Sequence, residues 1–313
     1  MNTILITGCC GFIGSHLIDY FINDNKVVGI DNLLSGSYNN IKHLEKNENF
    51  KFIEHDVCNK IPYKDKIDYI LHFASTASPN DYLNFPIKTL QAGSLGTENI
   101  LKLALKNDAT VLVASTSEIY GDPLEHPQTE SYYGNVNPIG PRSVYDEAKR
   151  YLEALTIAYK NKKKLSVRIA RIFNTYGPRM RINDGRAIPK FINQALNNKD
   201  FTVYGDGFQT RSFCYINDTI NGISKLLYSN YQLPINIGNP DEYSIINLVK
   251  TIKLITASKS KIKFEPLPIN DPKVRKPSIE LAETVLNWNP KINLIDGLNY
   301  TIQYYKNLSN FKE

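Results

Sequence analysis

The chain has 313 residues, with 37 Lys and Arg against 31 Asp and Glu, so its formal net charge is +6 and 22% of its residues are charged. At about 100–200 residues per domain, this length predicts about two domains that can fold around hydrophobic cores without disulfides or structural metal. Because 42% of the residues are hydrophobic, with 17 glycines and 16 prolines spread along the chain, the composition excludes disordered and fibrous proteins.

The first half of the chain alternates short aliphatic or β-branched runs with segments of helical period. The clearest helical segments are Gly14–Asn23 and Thr89–Lys106. Because the runs are continuously apolar, we expect them to be strands buried on both faces, as in a parallel sheet covered by helices. This pattern predicts an α/β fold with a doubly wound parallel Rossmann sheet. The predicted strands are Thr3–Thr7, Lys26–Asp31, Lys51–His55, Tyr69–Phe73, Thr110–Ala114 and Ser166–Ile172.

The texture of the sequence changes after about Asn174, where proline, glycine and arginine become frequent. Further along, we predict a helix at Asn217–Ser229, a strand within 233–238 and a helix that begins near Ser244. Since no low-complexity linker separates the halves, we expect a smaller C-terminal lobe packed on the first domain. We place the Rossmann domain at 1–174, with later returns near 212–240, and the lobe at 175–313.

Charge and cysteine usage exclude further classes. The densest lysines, Lys160 and those at 162–164, are interpreted as the solvated end of a helix, where cations complement the helix dipole. We therefore expect no nucleic-acid partner. The four cysteines are too scattered for a disulfide framework, so we expect reduced, buried thiols, and no Cys/His spacing predicts a metal site. No apolar stretch approaches ~18 residues and the first residues enter a strand directly, so we expect a cytoplasmic protein without a membrane partner.

Three glycines follow the first predicted strand, in the segment ILITGCCGFIG. Gly8 would permit a tight turn, Gly11 would let backbone N–H groups approach a pyrophosphate, and Gly14 would allow close packing of helix on strand. Phe12 and Ile13 belong to the same turn. Three glycines alone could simply serve a turn, but their place between the first strand and the first helix favours dinucleotide binding.

An acidic residue, Asp31, closes the second predicted strand. A carboxylate there can accept the hydroxyls of an adenine ribose and repels a 2′-phosphate, and the following Asn32 supplies no cation, so NAD is favoured over NADP. The ends of the next two strands would border the adenine and the pyrophosphate. Their residues are Asp56, Val57, Phe73, Ala74 and Ser75.

Tyr145 and Lys149 are four residues apart in SVYDEAKRYLEAL, so they share one face of a predicted helix. An ammonium beside a phenol lowers the pKa of the phenol, so Tyr145 could remove a hydroxyl proton during hydride transfer. Thr116, at the end of the fifth strand, could hydrogen-bond the same oxygen. A Tyr/Lys pair at this spacing is usually structural, but together with the glycine turn it predicts an oxidoreductase-type site.

These motifs resemble those of the extended short-chain dehydrogenase/reductase family: TGxxGxxG, the threonine at a strand end, and YxxxK at Tyr145–Lys149. The resemblance covers essentially the whole chain. Within the family, segments such as DNLLSGSYNNIKHL and ASTSEIYGDPLEHPQTESYYGNVNPIGPRSVYDEAKR most resemble the UDP-glucuronate decarboxylases. The resemblance implies NAD in the first domain, contacted also by Tyr145 and Lys149, and a UDP-sugar mainly in the C-terminal lobe.

The residues after Thr116 separate the members of this family. Sugar-nucleotide 4,6-dehydratases carry Asp-Glu there and 4-epimerases carry small residues at the second position, whereas this chain has Ser117-Glu118. We therefore favour decarboxylation. A UDP-sugar 4-epimerase or a nucleotide-sugar 4,6-dehydratase stays as an alternative, and a non-catalytic NAD-binding regulator is a third.

The resemblance implies a reaction in which UDP-glucuronate is oxidised at C4, loses CO₂ as a β-keto acid, is protonated at C5 and is reduced again at C4 to UDP-xylose. Tyr145 would be the acid/base at O4, Lys149 would lower its pKa, and Thr116 would position O4. Glu118 and Arg275 would act near C5 and C6, with protonation of C5, direct or through water, as their task. On the residues alone, Glu118 is a solvated carboxylate and Arg275 a surface charge.

Arginines suit a substrate with two phosphates and a carboxylate. The resemblance implies that Arg211 binds the diphosphate and that Arg275 contacts the same region. Arg179, Arg181 and Arg186 could equally be solvated. Gln91 stands where decarboxylases usually carry a lysine. If that lysine helps to bind the substrate carboxylate, glutamine at this position would weaken the binding or alter the choice of substrate. The remaining implied substrate contacts are Tyr82, Asn174, Arg186 and Tyr204.

The resemblance also implies a homodimer formed through a four-helix bundle, to which Thr89–Lys106 and Tyr145–Tyr159 would contribute. The apolar positions Leu152, Leu155 and Ala158 fit such an interface, and they equally fit packing against the sheet.

Overall fold

The computed structural model describes residues 1–267 and 274–310 of the chain. The predicted lobe therefore contains residues, 268–273 and 311–313, that lie outside the described part. The first-half strands begin and end within two residues of their predicted bounds, because their aliphatic runs are buried along their length. These strands are β1 (Thr3–Thr7), β2 (Lys26–Asp31), β3 (Phe50–Glu54), β4 (Tyr69–His72), β5 (Thr110–Thr116) and β6 (Val167–Ile172).

The helices of the first half cover this sheet. Single 3-10 turns occur at Tyr38–Asn40, Lys42–Leu44 and Ser117–Tyr120. The helices are α1 (Phe12–Phe21), α2 (Pro79–Asn84), α3 (Pro86–Gln91), α4 (Thr97–Asn107) and α5 (Ser143–Lys163).

The helix predicted at Thr89–Lys106 is divided, and this part of the prediction is wrong in detail. A π-helical turn, Ala92–Gly96, separates α3 from α4. In this turn Gly93 packs directly on α5, where an added Cβ would lie 2.7 Å from the Cβ of Ala148. The contact between the two helices, which local periodicity does not encode, requires a residue without a side chain there.

The central sheet has seven parallel strands in the order β11-β6-β5-β4-β1-β2-β3, where β11 is Pro234–Ile237. β1 pairs with β2 on one side and with β4 on the other. The strand order therefore reverses at β1, and a crevice opens at the carboxyl ends of β1 and β4, where such sheets bind ligands. This confirms the predicted doubly wound Rossmann sheet.

The C-terminal part adds small sheets beside the crevice. The strands are β7 (Thr175–Tyr176), β8 (Phe201–Tyr204), β9 (Thr210–Ser212), β10 (Cys214–Tyr215), β12 (Glu242–Ser244) and β13 (Ile262–Glu265). They form three two-stranded pairs, β10 with β7, β12 with β9 and β13 with β8. The helices are α6 (Ala187–Leu196), α7 (Ile216–Tyr228), α8 (Ile245–Thr256), α9 (Glu280–Leu286) and α10 (Leu294–Asn310).

The predicted helix at Asn217–Ser229 corresponds to α7, and the strand predicted within 233–238 is β11, which pairs with β6 in the central sheet. Ser244 is the N-cap of α8, and its hydroxyl accepts a hydrogen bond from the backbone N–H of Asn247 at 3.3 Å. A serine in this role satisfies an otherwise unpaired N–H at the helix start. The division at residue 174 stays a prediction.

The lysine run lies where the sequence suggested, since Lys160, Lys162 and Lys163 occupy the last turn of α5. The four cysteines are free thiols, as expected, but Cys58 is only half-buried whereas the others are buried. In the ranges that the structure describes, no helix combines the length and the apolar character that crossing a membrane requires.

Candidate active site

One cavity of about 710 Å³ lies at the carboxyl ends of the central strands, and every residue predicted for the site lines it. Residues that we expect to bind the cofactor and residues that we expect to bind the substrate, from both halves of the chain, thus line the same cavity. They are Gly8, Gly11, Phe12, Ile13, Gly14, Asp31, Asn32, Asp56, Val57, Phe73, Ala74, Ser75, Tyr82, Thr116, Ser117, Glu118, Tyr145, Lys149, Asn174, Arg186, Tyr204, Arg211 and Arg275.

The glycine turn between β1 and α1 leaves no room for side chains. Gly8 has a φ of +70°, and a Cβ on it would lie 2.7 Å from the carbonyl of Phe73. A Cβ on Gly14 would lie 2.1 Å from the oxygen of Gly8. The N-cap of α1 is Gly11, so backbone N–H groups at the positive end of the helix face the cavity. This turn can hold a pyrophosphate.

Asp31, at the end of β2, orders the adjacent loop. Its Oδ2 accepts the backbone N–H of Cys10 at 3.0 Å, and its Oδ1 accepts that of Leu33 at 2.8 Å. Burial raises the pKa of Asp31, and these two hydrogen bonds oppose the rise. The carboxylate therefore presents a fixed acceptor to the cavity, in the position expected for a ribose.

Asp31 also lies near two thiols, an arrangement that the sequence interpretation did not anticipate. Its carboxylate and the Sγ atoms of Cys9 and Cys10 lie within 4.8 Å of one another. Burial raises the pKa of the Cys9 thiol well above its usual range, and the carboxylate already accepts the backbone N–H of Cys10 within the turn. We therefore assign this group to the turn.

The loop after β4 carries a donor that suits a bound nucleotide. The hydroxyl of Thr7 accepts the backbone N–H groups of Phe73 and Ala74 at 3.2 Å each, which fixes this loop beside the glycine turn. The hydroxyl of Ser75 is enclosed and finds no hydrogen-bond partner in the described ranges. A buried hydroxyl without a partner is costly, so Ser75 fits a polar ligand group at this point.

Tyr145 and Lys149 lie on the buried face of α5, against the end of β5. The Lys149 Nζ is 5.7 Å from the centre of the Tyr145 ring and donates to the carbonyl of Ala114 at 2.8 Å. Burial raises the pKa of Tyr145 above its usual value, and a hydrogen bond with Thr116 opposes the rise. Burial also lowers the pKa of Lys149 to about 8. The expected lowering of the phenol pKa by Lys149 thus stays a prediction.

A second tyrosine stacks on the first. The rings of Tyr82 and Tyr145 are 5.4 Å apart at an interplanar angle of 9°. Tyr82 lies on α2, whose N-cap Ser78 accepts the backbone N–H of Asp81. Burial raises the pKa of Tyr82 to about 12, so it remains a neutral phenol. The stack restricts the ring of Tyr145 to one orientation.

Glu118 is held between two arginines in the 3-10 turn that follows β5. Its Oε2 accepts from Arg142 at 2.5 Å and its Oε1 accepts from Arg275, which also donates to the carbonyl of Gly121 at 3.2 Å. Burial alone would raise the pKa of Glu118, but the charges of Arg275 and Arg142 lower it to about 2. Glu118 is therefore ionised throughout the neutral range. The expectations from the residues alone, a solvated Glu118 and a surface Arg275, are wrong, because the two side chains pair inside the wall of the cavity.

The wall of the cavity that the second half of the chain forms is rich in cations. Arg186 pairs with Asp184 at 2.8 Å, and the Nζ of Lys190 lies 4.1 Å above the centre of the Tyr204 ring. Asn174 donates to the carbonyl of Ser212 at 3.3 Å. Arg211, on β9, donates to the carbonyl of Thr210 at 2.8 Å. This wall suits an anion with aromatic character on one end.

Two of the arginines for which the sequence did not decide between substrate binding and solvent exposure form ion pairs with aspartates. Arg179 pairs with Asp19 at 2.6 Å and Arg181 pairs with Asp81, and both arginines line the cavity. Gln91, in contrast, is absent from the described residues that line it. The effect of Gln91 on the choice of substrate therefore stays a prediction.

Sequence reasoning missed Arg142 and Lys88, which both line the cavity. Arg142 precedes Tyr145 by three residues and is the N-cap of α5, so one helical turn places it on the side of Tyr145. That spacing was a usable signal. Lys88 lies one turn before Gln91 on α3, and its charge opposes the rise in the pKa of the Cys58 thiol that burial causes.

Comparison with known proteins agrees with this geometry. A family model described as GDP-mannose 4,6 dehydratase matches residues 5–301. UDP-glucuronic acid decarboxylase 1 of Danio rerio is 48% identical over 303 residues, which are 96% of this chain and 72% of that protein. UDP-glucuronic acid decarboxylase 6 of Arabidopsis thaliana is 48% identical over 297 residues, 94% of this chain and 86% of that protein.

Among solved structures, a UDP-glucuronic acid 4-epimerase from Bacillus cereus superposes with a TM-score of 0.85 at 29% identity, covering 98% of this chain and 99% of that one. That structure is of a mutant in complex with UDP-4-deoxy-4-fluoro-glucuronic acid and NAD. The fold is therefore shared with a protein that binds both a dinucleotide and a sugar nucleotide.

Proposed function

This chain belongs to the GDP-mannose 4,6-dehydratase family of extended short-chain dehydrogenases/reductases, and from that premise we propose that it is a UDP-glucuronate decarboxylase, which forms UDP-xylose and CO₂. The observation that carries the proposal is the placement of Arg275. It lines the cavity, pairs with Glu118, and has an enclosed Nε for which the described residues offer no acceptor. Such a cation suits a sugar carboxylate.

We propose NAD as the cofactor, held by the glycine turn, Asp31 and Ser75. The close packing at Gly8 and Gly14 and the unpartnered hydroxyl of Ser75 support this assignment. When bound, NAD supplies the acceptor for the C4 hydride and later returns it. Lys149, 3% exposed beside Tyr145, would contact the ribose of the same cofactor.

Tyr145 would move the proton of the C4 hydroxyl. Its burial raises the phenol pKa, so the phenol needs neighbours that stabilise its anion. Thr116 supplies a hydrogen bond, and the ammonium of Lys149, 5.7 Å from the centre of the ring, would supply a positive charge. The stacked ring of Tyr82 keeps the hydroxyl aimed at one point.

Oxidation at C4 places a ketone β to the C6 carboxylate. When the C5–C6 bond breaks, its electron pair is stabilised by that ketone, so CO₂ loss needs little further help. Ser117 cannot serve as the acid that a dehydratase uses at this position, and Glu118 is fixed by Arg142 and Arg275. These features favour decarboxylation over water elimination and over epimerisation.

We also propose that two copies associate through α3, α4 and α5. Ile87, Leu90 and Leu95 on α3 and the π turn, and Tyr151 on α5, are exposed in the chain. Leu152, in contrast, is buried in the core beneath α5, so it packs on the sheet. Light scattering of the purified protein would measure the mass in solution, and a monomer at all concentrations would contradict this proposal.

The test of function is to incubate the protein with UDP-glucuronate and NAD and to analyse the nucleotide products by mass spectrometry. A product lighter by one CO₂ supports the decarboxylase. A new stereoisomer of unchanged mass would indicate an epimerase, and the loss of water a dehydratase. Binding of NAD without any turnover would indicate a regulator.

A further inference from the structure

Loss of CO₂ leaves C5 in need of a proton, and the groups expected to deliver it are poorly suited. Glu118 carries no proton near neutrality, because Arg275 and Arg142 hold its pKa at about 2. A guanidinium does not release protons in this range. Glu118 can therefore hold a water molecule that protonates C5, and an acid near Glu118 would replace the proton that this water gives up.

A second cavity of about 230 Å³ lies on the far side of Glu118. Glu118, Arg142 and Arg275 line both cavities and so form the wall between them. The second cavity is also lined by Asp146, which is absent from the described lining of the first. Its volume and polar walls suit water molecules.

Asp146 follows Tyr145 on α5 and is 6% exposed. Its Oδ1 is enclosed and lacks a hydrogen-bond partner within the described ranges. A buried carboxylate oxygen without a donor favours the protonated acid. Burial, together with the charge of Glu118, accordingly raises the pKa of Asp146 to about 7.

The charged groups around Asp146 shift its pKa in both directions. The anions Glu118 and Glu147 raise its pKa, and the cations Arg142 and Arg275 lower it. The phenols of Tyr82 and Tyr145 also face it, and their own pKa values are raised by it. Asp122 lines the same cavity. Burial prevails, so the second cavity is lined by two carboxyl groups, Asp146 and Glu118, whose pKa values are shifted in opposite directions, a pattern typical of acid/base pairs.

We propose that Asp146 is the proton source for C5 and that it acts through a water molecule held at Glu118. The inference rests on the proposed decarboxylase function. As the C5–C6 bond breaks, CO₂ leaves with C6 and the electron pair stays on C5 and the C4 ketone. The water then gives one proton to C5. A proton that Asp146 releases into the second cavity replaces it by way of the carboxylate of Glu118, which lines both cavities, and solvent in the second cavity reprotonates Asp146.

In this scheme Asp146 does not contact the substrate. It is a positioning residue that supplies its proton to C5 through Glu118 and water. The test compares Asp146→Asn, which keeps the shape but cannot donate, with the control Asp200→Asn. The control makes the same change at a carboxylate that pairs with Lys263 and is absent from the described lining of both cavities. UDP-glucuronate is turned over in ²H₂O, and CO₂ release, the partition between UDP-xylose and released UDP-4-keto-pentose, and the stereochemistry of deuterium at C5 are measured.

We expect the unaltered protein and D200N to place deuterium at one of the two C5 positions. In D146N, CO₂ release continues, formation of UDP-xylose falls by about 10²-fold, the usual contribution of a general acid, the keto-pentose is released, and the label is scrambled. In the unaltered protein, protonation of C5 should slow as the pH rises through about 7, and D146N should lose this dependence.

Retention of the unaltered rate, label position and pH profile in D146N would overturn the inference and leave the decarboxylase function standing. Absence of CO₂ release from the unaltered protein would instead reject the function. If D146N does not fold, Asp146→Glu replaces it. This acid should keep stereospecific labelling and shift the midpoint of the pH profile, and an unshifted midpoint would count against the relay.

Discussion

Arg275 and Glu118 are 157 residues apart in the chain and form an ion pair at the wall of the cavity. Arg275 is 3% exposed, so its charge is poorly screened by solvent, and among the influences that lower the pKa of Glu118 it is the largest. Because the two residues come from distant parts of the chain, this pair closes the site only when the C-terminal part has packed on the sheet.

Replacing Arg275 with glutamine should impair catalysis after C4 oxidation. The variant loses the cation that would face the substrate carboxylate and leaves Glu118 to Arg142 alone, so we expect kcat to fall by about 10²-fold or more. Formation of reduced cofactor in a single turnover should persist. Absorbance measures the reduced cofactor, and product analysis measures the later decarboxylation. If cofactor reduction and product formation were lost together, Arg275 would act before or during C4 oxidation.

The acid stability of the protein should reflect Glu118. Its pKa is about 2 when folded against an ordinary value of 4.5, so its ionised form stabilises the fold above pH 4.5 and this contribution is lost as the pH falls toward 2. A shift of this size corresponds to about 3 kcal/mol. The free energy of unfolding can be measured with denaturant between pH 4.5 and about pH 2. As the pH falls through this range, it should decrease less steeply in the Glu118→Gln variant than in the unaltered protein. Equal slopes would mean that the two arginines do not stabilise the carboxylate.

Local sequence predicted the strands and the glycine turn because each depends on adjacent residues. β1 and β2 are continuous aliphatic runs, and Gly8 is required by the φ of its own turn. The division of the helix at Ala92–Gly96 was not predictable, since it depends on the close contact between Gly93 and Ala148 of another helix.

The same distinction applies within the site. Tyr145 and Lys149 were identified from their spacing, and Arg275 only from the resemblance to a family. Asp146 lies next to Tyr145 in the sequence and was passed over, because its protonation depends on burial and on charges from Glu118 and Arg275. Such an environment exists only after distant segments pack together.

The packing of the glycine turn predicts a graded loss of stability. A Cβ on Gly14 would meet the Gly8 oxygen at 2.1 Å and the Cα of Cys9 at 3.0 Å, whereas a Cβ on Gly11 would meet only the Gly8 oxygen, at 3.1 Å. Gly14→Ala should therefore lower the free energy of unfolding by about 1–3 kcal/mol, the range for overpacking. Gly11→Ala serves as the matched control with a smaller loss. Urea unfolding without added nucleotide measures both, and equal losses would show that α1 shifts to relieve the contact.

Replacing Tyr145 with phenylalanine should strongly slow oxidation at C4 while leaving the site assembled. The ring can still stack on Tyr82, but the oxygen that Thr116 hydrogen-bonds is gone, so we expect the rate of cofactor reduction to fall by about 10²–10⁴-fold. Tyr151→Phe removes a hydroxyl from an exposed position on the same helix and is the matched control. Stopped-flow absorbance of the reduced cofactor measures the step, and the Kd for UDP-glucuronate should stay near that of the unaltered protein. Because oxidation precedes CO₂ loss, CO₂ release from Y145F should fall by the same factor, in contrast to the Asp146→Asn variant. Release of CO₂ from Y145F at the unaltered rate would remove Tyr145 from the reaction.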